Sequence, residues 1–240
     1  MSKSLKLFLG ISYIMILLIF LYLIFSYVEV SRLDDFLYYK ELQIYLEETI
    51  GKNLYTNLII FFLFCLIWVS LLGFGSPLLL ISGILFGKWI GTFISVLSIS
   101  IGALILYSIA SFFFKDLVSH LLEKRFLKYI HFFRKNEFNY FLAFRLAGGL
   151  GIPFGPQNVL PVIFNMKKSN YFFASFLGFI PMFFIWNTIG SGLKQYIKQA
   201  DNFSLINLLL NKDICLPIIF FLIVMLISFM IKRRIFNDRN

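Results

Sequence analysis

Arg145 is the one charged side chain between Glu137 and Lys167. It follows Phe141-Leu142-Ala143-Phe144 and precedes 21 uncharged residues, 146–166. On insertion scales a guanidinium at bilayer depth costs roughly 2.5–3.5 kcal/mol, so Arg145 needs acceptors. The uncharged runs of this chain hold no Asp or Glu by construction. Three partners remain: an unwound backbone carbonyl, a lipid phosphate, or, if the side chain snorkels, the membrane interface. Gln157 and Asn158 lie close by, between Pro156 and Pro161. Amides buried in lipid must find partners, either by capping broken helix ends or by binding a ligand. We take Arg145, Gln157 and Asn158 as the candidate substrate-binding residues.

No other constellation has the spacing of an enzyme. His120 and His131 stand eleven residues apart without neighbouring thiols, which argues against a metal site. No G-x-S-x-G or Ser-x-x-Lys frames a serine, and no Gly-rich loop ends in Lys-Ser/Thr. Asn202-Phe203-Ser204 is a glycosylation sequon, a pattern common by chance. Cys65 and Cys215 sit in apolar runs and read as small buried hydrophobes. The expectation is a non-enzymatic protein with no cofactor and no metal.

The elements that must position Arg145 are set by an unusual composition. Of 240 residues, 60% are hydrophobic and 14% charged, and the mean hydropathy is +0.85. A soluble domain carries roughly 45–50% apolar and about 25% charged residues, so this composition indicates a polytopic, all-α membrane protein. Runs 7–28, 89–114, 169–193 and 214–231 each have the length of one crossing. Run 7–28 has no small-x-small cleavage site and reads as an uncleaved helix. Run 53–87 is too long for one crossing and is interrupted by Gly73-Phe74-Gly75-Ser76-Pro77. It divides into a span over 53–72 and a half-membrane segment from Pro77 to Gly87, with Gly83 inside it. Run 146–166 carries Gly148, Gly149, Gly151, Pro153, Gly155, Pro156 and Pro161 and cannot be one helix. With 138–144 it reads as a second broken, re-entrant hairpin. Gly178 and Pro181 in the following span make room for it. The expected architecture is therefore about five spanning helices and two re-entrant hairpins. Such broken segments are tolerated at membrane depth only where protein or a wet cavity covers them.

Charge falls between the apolar runs. The net +10 thus points to lipid headgroups and orientation, not to nucleic acid. Segment 115–137, Lys167-Lys168 and the tail 232–240 are basic, which places them in the cytoplasm. Five crossings counted back from the tail put the N-terminus outside, whereas Lys3, Lys6 and the acidic segment 29–52 favour the reverse. In that segment Leu33, Phe36, Leu37, Leu42, Tyr45 and Leu46 predict one apolar face of an interfacial helix. Gly83, Gly87, Gly91 and Ser95 recur every four residues, a small-residue ridge for intramolecular packing or for a homo-oligomer. Three regions follow: 1–52, an N-terminal membrane helix and interfacial segment; 53–193, a core with two hairpins; and 194–240, a C-terminal membrane helix and basic tail.

Several of these motifs, in this order, resemble the DedA / SNARE-associated Golgi protein superfamily, whose shared unit is the VTT domain. The first re-entrant motif is matched by Gly75-Ser76-Pro77 through Ser82-Gly83 to Phe86-Gly87 and a Gly-spotted helix to Gly102. Phe141-x-x-x-Arg145 resembles its aromatic-x-x-x-Arg motif. Its second hairpin and following helix are matched by Pro153-Phe154, Asn158 and Pro161, then Phe172-Phe173, Gly178, Pro181 and Gly190. The chain departs in having Gly148-Gly149 where Pro is frequent, and in lacking acidic residues near the first hairpin, which brings it nearer the Golgi and bacterial VTT branch. The resemblance implies two opposed re-entrant hairpins and movement of phospholipid or undecaprenyl phosphate between leaflets. Membrane lipids with phosphate-bearing headgroups are then the expected partners, with Pro77, Gly83, Gly87, Pro153, Pro156, Pro161, Gly178 and Pro181 as hairpin and gate residues. The expected location is a bacterial inner membrane. A transporter of a small ion or solute, or a membrane scaffold, are the alternatives.

Overall fold

The computed structural model describes residues 3–26, 36–72, 75–199, 204–212, 214–220, 222–223 and 226. Side chains at 114–132, and at 3–7, 24, 25, 36, 39, 42, 72, 205, 206 and 209, lie outside that description. His120 and His131, Leu33, the Asn202-Phe203 part of the sequon and the tail 232–240 therefore fall outside it as well. Every regular element among the described residues is helical. In chain order they are α1 (Lys3–Ser26), α2 (Phe36–Lys52), α3 (Leu54–Leu72), α4 (Ser76–Lys135), α5 (Glu137–Leu146), α6 (Phe154–Val159), α7 (Lys168–Gln199) and α8 (Leu205–Leu210). Three of them contain stretches long and apolar enough to cross a membrane: Leu54–Leu71, Ser76–Phe113 and Lys168–Gln199. The apolar stretch Phe8–Leu23 of α1 is shorter.

α3 has no Gly or Pro in its interior and runs unbroken. α4 starts with Pro77 in its first turn, where a missing N–H has no helical partner to lose. It is then interrupted at Gly87, whose φ of 74° and ψ of 179° belong to a region essentially closed to side-chain-bearing residues. The chain reverses there. Ser82 Oγ lies 2.7 Å from Ser95 Oγ, although thirteen residues of continuous helix would separate them by about 20 Å. Arm 76–86, about 16 Å long as a helix, folds back on arm 88–135. The arm is half the length that a bilayer crossing requires.

This reversal corrects the predicted small-residue ridge. Gly83, Gly87, Gly91 and Ser95 do not share one helix face, because Gly87 is the turn between the arms. Instead Gly83 and Gly91 close on Asn187 of α7 from the two arms. A Cβ on Gly83 would sit 2.3 Å from the Asn187 carbonyl oxygen, and one on Gly190 would sit 2.3 Å from that of Leu80. Gly83 and Gly91 are thus spent on packing within the chain, whereas a Cβ on Gly87 would meet nothing within 4 Å.

The second reversal follows α5. A 3₁₀ turn at Gly148–Gly151 carries Gly149 at φ 74° and Leu150 at φ 54°. Pro153, extended at φ −57° and ψ 148°, then leads into α6. Pro156 lies in the first turn of α6 and Pro161 in the first turn of the 3₁₀ segment Leu160–Val162, again positions that need no helical donor. The two folded-back segments meet at their tips: a Cβ on Gly75 would lie 3.7 Å from the Phe154 ring.

Of the apolar face predicted for α2, Leu37, Tyr45 and Leu46 have described side chains. The inward face of α2 is Gln43, Leu46, Glu47 and Ile50, while Leu37 and Tyr45 are each 65% exposed together with Ile44. Leu46, the residue after Tyr45, is turned about 100° from it. Polar contacts hold the inward side: Gln43 Nε2 donates to the Lys194 carbonyl at 3.1 Å, and Glu47 pairs with Lys194 at 3.2 Å and Lys198 at 3.3 Å.

Candidate functional site

α5 is a short helix whose Phe141 and Arg145, one turn apart, face the same way. Both are buried, Arg145 being 2% exposed. α7 permits this because Gly178 faces Arg145: a Cβ there would fall 2.4 Å from the Arg145 Cβ. The guanidinium carbon lies 4.7 Å from the ring centre of Phe141 and 4.6 Å from that of Phe179, with Phe154 and Tyr171 within 5.8 Å. Four rings thus present π faces or edges to one cation, a contact strengthened where water is excluded.

Its hydrogen bonds go to neutral groups. Nη1 donates to Gln157 Oε1 at 3.0 Å. Nη2 donates to Asn158 Oδ1 at 2.7 Å and to Tyr171 Oη at 3.1 Å. Gln157 in turn braces the turn, its Nε2 donating to the carbonyls of Ile152 at 2.6 Å and Gly148 at 3.4 Å. Gly149 leaves room for that amide, since a Cβ there would overlap Gln157 Nε2. Tyr171 is stacked on Tyr107, 4.6 Å between centres and 11° between planes, and Tyr107 donates to the Met166 carbonyl at 2.6 Å.

Two donors in the cluster have no partner: Arg145 Nε and Asn158 Nδ2. No described carboxylate pairs with Arg145. The site is thus a positive charge held by dipoles and rings, with donors in excess of acceptors. Such an arrangement is suited to an anion and offers nothing to a metal ion. Among the described residues no group of three or more His, Cys, Asp and Glu comes together.

The structure brings Arg145, Gln157 and Asn158 into one contact network, with Gly178 beside it. Pro153 caps α6 and Pro156 lies within it, next to Gln157 and Asn158. Pro161 is buried. Pro181 lies within α7 one turn beyond Leu177, whose carbonyl it cannot serve. Pro77, Gly83 and Gly87 belong to the first reversal, away from the guanidinium. There a separate polar cluster joins Ser82, Ser95 and Asn187, all fully buried. Ser82 Oγ donates to Asn187 Oδ1, and Asn187 Nδ2 donates to the Phe183 carbonyl at 2.8 Å.

Sequence reasoning missed Tyr171, Asn187 and Ser82 as network members. The available signal was polarity inside an uncharged run. For Tyr171 that signal was masked by Lys167-Lys168, because a Tyr beside basic residues reads as an ordinary interface anchor.

No solved structure matches this chain. The family model of the VTT domain matches residues 73–192, half of the chain, ending in the last turns of α7. That interval contains both reversals, the guanidinium cluster and the serine–asparagine cluster, the apolar stretch Ser76–Phe113 and most of Lys168–Gln199. The chain is an integral membrane protein of the VTT-domain family, the family of the DedA and SNARE-associated Golgi proteins.

Proposed function

We propose that this protein moves phosphate-bearing lipids, phospholipid or polyprenyl phosphate, between the leaflets of a membrane. The observation that carries this reading is the Arg145 guanidinium, buried between the second folded-back segment and α7, with no described carboxylate on it and with unpaired donors in its cluster. A phosphate is the natural counter-charge for such a group, since guanidinium binds it through two parallel hydrogen bonds. In the closed arrangement Gln157, Asn158 and Tyr171 hold the charge. Separation of the segments at Gly75 and Phe154 exchanges those neutral acceptors for a headgroup, while the acyl chains stay in lipid. The two reversals act as re-entrant hairpins among five crossings, and the C-terminal tail lies in the cytoplasm of a bacterial cell. The route needs no nucleophile and no cofactor.

The tight enclosure of Arg145 also favours a second reading, a scaffold in which the cluster only locks helices together. One experiment separates the two. Purified protein is reconstituted in liposomes with a fluorescent phospholipid or polyprenyl phosphate, and the fraction of label reached by an external quencher is measured. Wild type is expected to expose label beyond the outer leaflet, with Arg145→Ala abolishing the excess while remaining folded. A loss of function that only follows protein abundance supports the scaffold. Quenching equal to that of empty liposomes sinks lipid movement. A soluble competitor that saturates transport turns the same site into a solute pathway.

A further inference from the structure

We infer a second phosphate-binding site at the base of the second hairpin, distinct from Arg145. A cavity of about 520 Å³ lies where α4 ends and α7 begins, and its lining includes Arg134, Lys135, Lys167, Asn165 and Asn170. Glu137 is the one acidic residue of that lining, and protein donors already engage it. Its Oε1 accepts from the Lys167 backbone N–H at 3.1 Å and from Asn170 Nδ2 at 2.7 Å. The carboxylate thereby caps the positive end of α7, where negative charge is stabilised. The three cations are left over. None of them is ion-paired among the described residues, and all three are exposed. Arg134 is anchored by Nε, which donates to the Phe164 carbonyl at 3.2 Å, so its terminal nitrogens remain available.

The contrast with the opposite end of α7 is instructive. There a pocket of about 400 Å³ also holds two lysines, but Glu47 takes both Lys194 and Lys198. In one pocket both cations are paired with a carboxylate; in the other, three cations are unpaired among the described residues. Three cations with amide donors around an open concavity match a phosphate monoester or diester, free or on a lipid headgroup. The site rests on the same phosphate chemistry as the proposed function, and would hold the anion at the mouth of the hairpin.

The test is native mass spectrometry of the full-length chain in detergent, titrated with phosphatidylglycerol and with diacylglycerol, which lacks the phosphate. Phosphatidylglycerol is expected to be retained over diacylglycerol. The Arg134→Gln/Lys167→Gln double variant is expected to weaken retention about tenfold or more, the range for charge-assisted hydrogen bonds. Lys194→Gln/Lys198→Gln, at the ion-paired pocket, should leave retention unchanged. Lys135→Glu is exposed and serves if the first double variant fails to fold; it should weaken retention too. Displacement of the lipid by inorganic phosphate assigns the site to free anion, and resistance to it assigns the site to the headgroup. Equal losses in both double variants, or no loss in folded Lys135→Glu, overturn the site. Translocation is read on the same variants reconstituted in liposomes. If Arg145→Ala leaves translocation intact while retention still depends on Arg134 and Lys167, the proposed function fails and this site stands.

Discussion

The two reversals of this chain solve the same problem with different chemistry. Both fold a short helical segment back in an apolar core, and both leave polar groups that must be satisfied there. The first uses Ser82, Ser95 and Asn187, small neutral groups that hydrogen-bond to each other and to nearby carbonyls. Its reversal point is a single glycine. The second uses a permanent cation, two amides, a phenol and four rings, and its turn runs through Gly148–Gly151 with four residues in or near left-handed backbone. A neutral cluster can be closed completely. A charged one without an anion has donors to spare. The first reversal is therefore closed by neutral groups, whereas the second keeps unpaired donors beside a cation.

The widest gap between them should appear on removing their central side chains. Arg145→Met leaves the oxygens of Gln157 and Asn158 without their strongest donor, at about 1–3 kcal/mol for each buried group, so a total loss of roughly 3 kcal/mol is expected. Asn187→Ala leaves Ser82 with Ser95 and the Leu79 carbonyl, and about 1 kcal/mol should suffice. Denaturant or thermal unfolding in detergent measures both. Equal costs would erase the distinction drawn here.

Glycine-to-alanine changes sharpen it. A Cβ at Gly83 meets the Asn187 backbone oxygen, and one at Gly178 meets the Arg145 Cβ. Overpacking at either should cost roughly 1–3 kcal/mol. Gly83→Ala should lower stability alone, whereas Gly178→Ala should also lower lipid movement by displacing the guanidinium. The liposome quenching assay, corrected for folded protein, decides whether that asymmetry exists.

The smallest effect lies at the edge of the first reversal, where α2 straps the end of α7. Burial raises the Glu47 carboxyl, but hydrogen bonds and charges from Lys194 and Lys198 outweigh it and hold the group below the ordinary carboxylate range. Its contribution is then complete above the unfolded carboxyl value of about 4.3 and is lost as pH falls through the lowered folded one. For a half-exposed pair it amounts to about 1 kcal/mol at most. Glu47→Gln should melt slightly lower at neutral pH and converge with wild type in acid.

Legibility in the sequence followed from the kind of signal each residue carried. Breaks at Gly75-Ser76-Pro77, at Gly87 and through Gly148–Pro161 were readable because glycine and proline act locally. Arg145 was readable because a lone charge in an apolar run is costly wherever it lies. The convergence of Gln157 and Asn158 on it followed from their sharing one broken segment. What escaped was the third dimension. Periodicity placed Gly83 to Ser95 on one ridge because a four-residue repeat assumes a continuous helix, and the reversal at Gly87 voids that assumption. The inward side of α2 was not legible, because apolar content gives no hint that Gln43 and Glu47 meet the exposed end of α7. Tyr171 and Asn187 reach their clusters only through contacts between distant segments, which no local pattern records.

Arg145 has one more consequence, which concerns the electrical state of the cell. An arginine keeps its charge at any physiological pH. A charge carried across a full membrane field gains or loses about 2.3 kcal/mol per 100 mV, and a partial displacement a proportional share. With no described carboxylate to cancel it, any motion of the second hairpin along the membrane normal carries net charge. The folded-back arm 76–86 of the first hairpin holds no charged side chain. In an energised membrane the two halves of the protein feel different forces, and the resting potential itself biases how far the charged half is drawn toward the negative side.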